Sequence, residues 1–217
     1  MNPDITKYKH IIWDWNGTLL NDAWLCVEIL NKMLSRRQMP TTTLSQYQKD
    51  FDFPVIDYYR KLGFNFEKGS FDNIAREYIT AYEERRYECE LRYGVVDIIK
   101  MLNVKGFLQS VLSASQQSSL IEALKKFRLK DFFENIAGLD DYYAHSKINI
   151  GRKLLENIMA DKSEIILIGD TTHDYEVARE MGVDCLLLPA GHQSKERLLA
   201  SGAKVCDNLN GIFKDLF

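Results

Sequence analysis

Three polar residues stand where apolar runs stop: Asp14 after residues 11–13, Ser113 after residues 107–112, and Asp170 after residues 164–168 and Gly169. In an open parallel sheet, ligands occupy the crevice beyond the carboxyl ends of the strands, so a side chain at a strand's end is aimed there. Asp14 is the sharpest case, because Asn16-Gly17 follows it and suits a tight turn. Two carboxylates facing one site repel each other, and a hard cation between them keeps both ionised. Taken singly, Ser113, Asp170 and Asp174 could each do no more than cap a following helix.

The elements that must position these residues follow from hydrophobic period. After the Asp14 turn, Asp22 is placed to cap a helix in which Trp24, Val27, Leu30 and Leu34 recur at helical spacing. Pro40 and the threonines 41–43 break it. Helical pieces are expected at 44–51, 54–62 and 71–89, with no convincing strand among them. Almost 70 residues of helix after a single strand read as an insertion into a sheet, not its continuation. From Gly94 strands and helices alternate: helix 95–102, strand 107–112, helix 116–127, strand 135–139, helix 148–159, strand 164–168, helix 174–181, strand 185–188, helix 195–200, strand 204–206 and helix 208–217. Alternation of this kind implies right-handed crossovers and a doubly wound parallel sheet of the α/β class.

The segment Asp14-Trp15-Asn16-Gly17-Thr18-Leu19 resembles the first motif of the haloacid dehalogenase superfamily, Asp-x-Asp-Gly-Thr after a hydrophobic strand. Ser113 resembles its second motif and Lys147 its third. Gly169-Asp170-Thr171-Thr172-His173-Asp174 resembles its fourth, Gly-Asp-x-x-x-Asp. Each motif is weak, but the four occur in order and each lies on the expected strand end or loop. The resemblance implies a Rossmann-like core over residues 1–20 and 90–217 with an all-helical cap domain over 21–89. It is nearest to the phosphoglycolate phosphatase branch. It also implies Mg²⁺, which binds one or two carboxylates, keeps several waters and takes a phosphate oxygen. Asp14 and Asp170 would be metal ligands with the main-chain carbonyl of Asn16, and Asp174 would hold a metal-bound water or the site lysine. Asp14 would be the nucleophile forming an aspartyl phosphate. Ser113, the Ala114 amide and Lys147 would bind the phosphate.

One departure matters. The family's second Asp, which protonates the leaving oxygen and later activates water, is Asn16 here. An amide has no titratable proton in this range. General acid–base catalysis contributes about 10²–10⁴-fold, so turnover should weaken without loss of metal or phosphate binding. The leaving group could need little protonation, as in acyl phosphates or phosphoanhydrides, or His145, His173 or a cap residue could serve. The alternative is a catalytically weak, phosphate-binding regulatory protein.

The 217 residues are 46% hydrophobic and 12% aromatic, enough for a full core, and carry a net charge of −3. No stretch is strongly basic, so neither nucleic acid nor an anionic membrane is the expected partner; a small phosphorylated metabolite is. A monomer or homodimer in the cytoplasm is expected, because residues 1–9 are polar and lack a secretory signal's apolar segment. Cys26, Cys89, Cys185 and Cys206 have no metal-ligand spacing and are expected to be buried apolar residues. The aromatic residues Trp24, Phe51, Phe53, Tyr58, Tyr59 and Tyr82 read as core.

Overall fold

The computed structural model describes residues 4–66, 71–139, 147–189 and 191–216. In chain order these form β1 (His10–Trp13), β2 (Leu20–Asn21), α1 (Ala23–Arg36), α2 (Leu44–Asp50), α3 (Val55–Lys61), α4 (Phe71–Arg85), β3 (Glu90–Leu91) and α5 (Val95–Val104). Then come β4 (Leu108–Gln116), α6 (Gln117–Lys126), β5 (Asn135–Leu139), α7 (Lys147–Glu156), β6 (Ile165–Gly169), α8 (Thr172–Met181), β7 (Asp184–Leu187), α9 (Lys195–Ala200), β8 (Lys204–Val205) and α10 (Leu209–Phe213). Six strands form one parallel sheet, ordered β5-β4-β1-β6-β7-β8.

Alternation along each strand splits the core between the two faces of the sheet. Ile11, Trp13, Val111, Ile166, Ile168 and Leu186 pack on one side with residues of α5, α6 and α10, while Ile12, Leu112, Ile165, Leu167 and Leu187 pack on the other with α7, α8 and α9. Both faces are covered, which is why β1 and β6 read as unbroken apolar runs. The four cysteines are buried thiols.

Two differences from the sequence expectation bear on function. Residues 20–21 and 90–91 pair as a short antiparallel ladder, so the chain leaves the core for α1–α4 and returns at adjacent points. Two-residue strands carry no period to read. In addition, β4 runs on to Gln116 instead of stopping at Leu112, with an irregular register against β5 between Leu112 and Gln116. Ser113 therefore lies within the strand, fully buried, and not at its end. No helix among the described residues is long and apolar enough to cross a membrane.

Candidate active site

Strand pairing places the central carboxylates together. β1 and β6 are neighbours with Trp13 opposite Ile168, so Asp14 and Asp170 leave the sheet side by side. The Thr18 hydroxyl lies 3.0 Å from Asp14 Oδ2 and 3.1 Å from Asp170 Oδ1. Lys147, the first residue of α7, puts Nζ 2.5 Å from Asp14 Oδ1 and 2.5 Å from Asp174 Oδ1. Asp174 also closes a capping box: its Oδ2 accepts the Thr171 N–H at 3.0 Å while Thr171 Oγ1 accepts the Asp174 N–H. One Asp174 oxygen thus serves the helix cap and the other meets Lys147.

The electrostatics are unbalanced. Asp14, Asp170 and Asp174 are buried and offer oxygens within 4.8 Å of one another, and the Lys147 ammonium contacts Asp14 and Asp174. Burial, with the neighbouring carboxylates, pushes Asp14 up to about 8 despite Lys147. Burial lifts Asp170 to about 6 against the pull of His192. Asp174 goes the other way, because the Lys147 ammonium and its hydrogen bonds outweigh burial. Burial would lower Lys147, but Asp14 and Asp174 override it and hold it charged. An all-oxygen donor set with surplus negative charge fits a hard divalent cation. The close approach depends on glycine: Gly17 has φ +74°, and a Cβ there would collide with the Asp170 carboxylate.

Asn16 is tied down by both ends of its amide. Nδ2 donates to Asp22 Oδ2 at 2.7 Å and to the Tyr82 hydroxyl at 2.8 Å, while Oδ1 accepts from Ser115 Oγ at 2.6 Å. Asp22, expected to cap α1, makes no cap bond. Its backbone sits at φ −117°, ψ −4°, outside the extended region of capping residues, and the side chain turns back into the site. There it accepts the Gly17 N–H at 2.8 Å and the Tyr82 hydroxyl at 2.7 Å, and Oδ1 lies 3.3 Å from His192 Nε2. Burial alone would raise Asp22, but His192 with the Asn16 and Tyr82 bonds holds it below the ordinary value. Burial would lower His192, yet Asp22 and Asp170 carry it up to about 9. The His192 N–H also donates to Asp170 Oδ2 at 2.5 Å, and Nδ1 lies 2.9 Å from the Tyr47 hydroxyl.

Ser113 is buried beside this layer, its hydroxyl accepting the Ser115 N–H at 3.0 Å and donating to Asn16 Oδ1 at 3.5 Å. Ala114 and Ser115, rather than Ser113, face the cavity between the strand ends and α1–α4. His173 also lines that cavity, stacked 4.7 Å from Phe53. His145 lies outside the described residues. Sequence reasoning missed Ser115 and His192, took Asp22 for a cap and Tyr82 for core. Only a strand-end signal, Gly191-His192 shortly after β7, could have pointed to one of them.

The parallel sheet with helices on both faces and paired carboxylates at its central strand ends is a Rossmann-like α/β fold. A family model described as "Haloacid dehalogenase-like hydrolase" matches residues 11–188, and the chain belongs to that family. Pyrophosphatase PpaX of Halalkalibacterium halodurans is 31% identical over 94 residues, 42% of this chain and 42% of the relative, so that match spans less than half of the relative's length. Among solved structures, a haloacid dehalogenase-like family hydrolase of Streptococcus pneumoniae superposes with a TM-score of 0.77 at 19% identity, covering 92% of this chain and 93% of that one. A predicted phosphoglycolate phosphatase of Haemophilus somnus superposes at 0.71 with 17% identity, covering 97% and 99%. At these identities the structural likeness is one of fold.

Proposed function

We propose that this chain is a Mg²⁺-dependent phosphatase that hydrolyses a small phosphorylated metabolite through an aspartyl phosphate on Asp14. The observation that carries the reading is the cluster of Asp14, Asp170, Asp174 and Lys147 at the ends of β1 and β6 and the starts of α7 and α8. In this reading residues 21–89 act as a helical cap over a core formed by 1–20 and 90–217. Asp14, Asp170 and the main chain at Asn16 would hold the cation, which when bound draws charge from the phosphoryl oxygens. Asp14 attacks phosphorus in line, and Lys147 neutralises charge on the transferring group while Asp174 orients Lys147. The Ala114 amide would bind the phosphate, with Ser115, whose hydroxyl donates to Asn16 Oδ1, lining the same cavity.

Asn16 sets the choice of leaving group. Its amide is bonded on both sides and offers no acid, so departure must depend on the leaving group's own stability as an anion. That disfavours an alkyl ester such as phosphoglycolate and favours anhydrides and acyl phosphates, a preference supported by the pyrophosphatase name of the curated relative. Phosphate release from phosphoglycolate, acetyl phosphate and pyrophosphate, with Mg²⁺ and with EDTA, tests this. Mg²⁺-dependent release favouring the two activated substrates is expected. Tight phosphate binding without release would favour the regulatory reading that the amide at position 16 also suggests.

The raised groups give a second test. Asp14 and Asp170 stand above the carboxylate value of 3.8, and His192 stands above 6.5. On these three groups the folded chain holds more protons than the unfolded chain between about pH 4 and 9, so their contribution to metal-free stability falls as pH rises through that window, while His10, pushed down to about 4 by burial, opposes them below about pH 6.5. Asp22 and Asp174 are lowered and act only below it. Mg²⁺ competes with the protons on Asp14 and Asp170, so its stabilising effect is larger at pH 8 than at pH 5. At 100 times its dissociation constant it adds about 2.7 kcal/mol, or about 5–10 °C in Tm for a chain of this size. Differential scanning calorimetry at both pH values reads the difference; equal shifts would remove the cation from Asp14 and Asp170.

A further inference from the structure

The cavity lined by Asp14, Lys147 and Asp170 also has a lining of a different chemistry. It encloses about 240 Å³. Its lining joins Asp14, Lys147 and Asp170 to the side chains of Phe53, Val55, Tyr58, Tyr59, Phe71 and Tyr78, with Phe53 stacked on His173 beside the carboxylates. The aromatic wall is continuous: Phe51 packs edge-on to Phe53 at 5.3 Å and to Tyr58 at 5.4 Å. Among the described residues lining the cavity, Lys147 is the one lysine or arginine, and both its close contacts are to Asp14 and Asp174. The other cation there, His192, is already matched to Asp22.

We infer that the leaving group of the natural substrate is a compact apolar ring, as in an aryl or aroyl phosphate. This rests on the phosphatase reading above and narrows it. Three observations converge. A leaving phosphate or a glycolate carboxylate would bring one or more negative charges to a lining in which, among the described residues, Lys147 and His192 are already paired, an expensive desolvation. A ring meets aromatic faces and edges at the distances such pairs prefer. Size agrees, since an apolar cavity of about 150 Å³ holds a benzene, leaving room here for the phosphoryl end.

The missing acid points the same way. A phenol ionises near pH 10, whereas water, and with it an ordinary hydroxyl, needs about 16. Asp14 Oδ forms its bond to phosphorus as the phosphorus–oxygen bond to the ring-bearing group breaks, and the electron pair leaves on that oxygen as a phenolate or aromatic carboxylate. Water then attacks the aspartyl phosphate, returning the Asp14 carboxylate, inorganic phosphate and one proton to solvent. No step needs a proton from position 16.

The comparison that isolates the ring is benzoyl phosphate against acetyl phosphate, two acyl phosphates of similar leaving ability, assayed with Mg²⁺ on the whole chain. A kcat/KM for benzoyl phosphate about 10- to 100-fold higher is expected from burying one ring. In Phe53→Ser and Val55→Ser that ratio should fall toward one. Phenyl phosphate set beside benzoyl phosphate then distinguishes an aryl from an aroyl source. A parallel binding arm uses phenylphosphonate and methylphosphonate, followed by calorimetry, with phenylphosphonate the tighter ligand. Equal rates for benzoyl and acetyl phosphate, or pyrophosphate turned over faster than either, would overturn the inference and leave the phosphatase reading standing. Release from none of them, with phenylphosphonate no tighter than methylphosphonate, would overturn both.

Discussion

Asp14→Asn should reduce Mg²⁺-dependent phosphate release by roughly 10⁴–10⁶-fold, the scale on which removal of a covalent nucleophile acts. The amide keeps the size of the side chain and can still meet Lys147 Nζ, now 2.5 Å from Asp14 Oδ1, so the fold should survive. It even removes one of three crowded carboxylates whose mutual repulsion, with burial, carries Asp14 up to about 8. Metal-free stability at pH 8 should therefore rise while activity disappears. Steady-state phosphate release and thermal unfolding on the same sample check both halves. A variant that is inactive and unstable would point instead to a structural role for Asp14.

The second large effect is a gain. Asn16→Asp alone would set a new carboxylate against Asp22, now 2.7 Å from Asn16 Nδ2, and the Tyr82 hydroxyl could donate to only one of the two. One of the pair would have to keep a proton, at a cost in stability. Exchanging the two residues avoids this. In Asn16→Asp with Asp22→Asn the amide at position 22 donates back to the carboxylate at 16, and its oxygen can still accept from Gly17 N–H and His192. The double variant should hydrolyse a simple alkyl phosphate about 10²–10⁴-fold faster than the parent, the usual worth of general acid–base catalysis. The single Asn16→Asp should gain less and melt lower. A double variant no faster than the parent on alkyl phosphates would show that Asn16 is not what limits them.

Much of the site could be read from the chain because strand ends follow a simple grammar. Asp14 and Asp170 close apolar runs, and their neighbours β1 and β6 were bound to pair in a doubly wound sheet. Lys147 followed only from the family resemblance, by its place between the second and fourth motifs. What escaped notice depends on contacts between residues far apart in sequence. Tyr82 meets Asn16 across 66 positions, and His192 meets Asp22 across 170. No local pattern distinguishes a tyrosine whose hydroxyl enters a site from one that only fills space. Asp22 misled for a different reason: an Asp before a helix is the ordinary cap, and only its φ/ψ shows that the side chain cannot reach the helix. Ser113 and Ser115 both reach Asn16 Oδ1, but the extension of β4 buries the first and leaves the second lining the cavity. The aromatic residues of α2–α4 were legible as apolar, but which of them border a cavity depends on how those helices lie over the strand ends.

The account turns on a covalent phosphoryl group at Asp14, and the most direct measurement is peptide mass analysis after acid quenching during turnover of acetyl phosphate. A phosphoryl group on the peptide containing residues 10–22, present with Mg²⁺ and absent with EDTA or in Asp14→Asn, is the predicted result. Phosphate release that proceeds with Asp14 unmodified, or with the phosphoryl group on another residue, would contradict it.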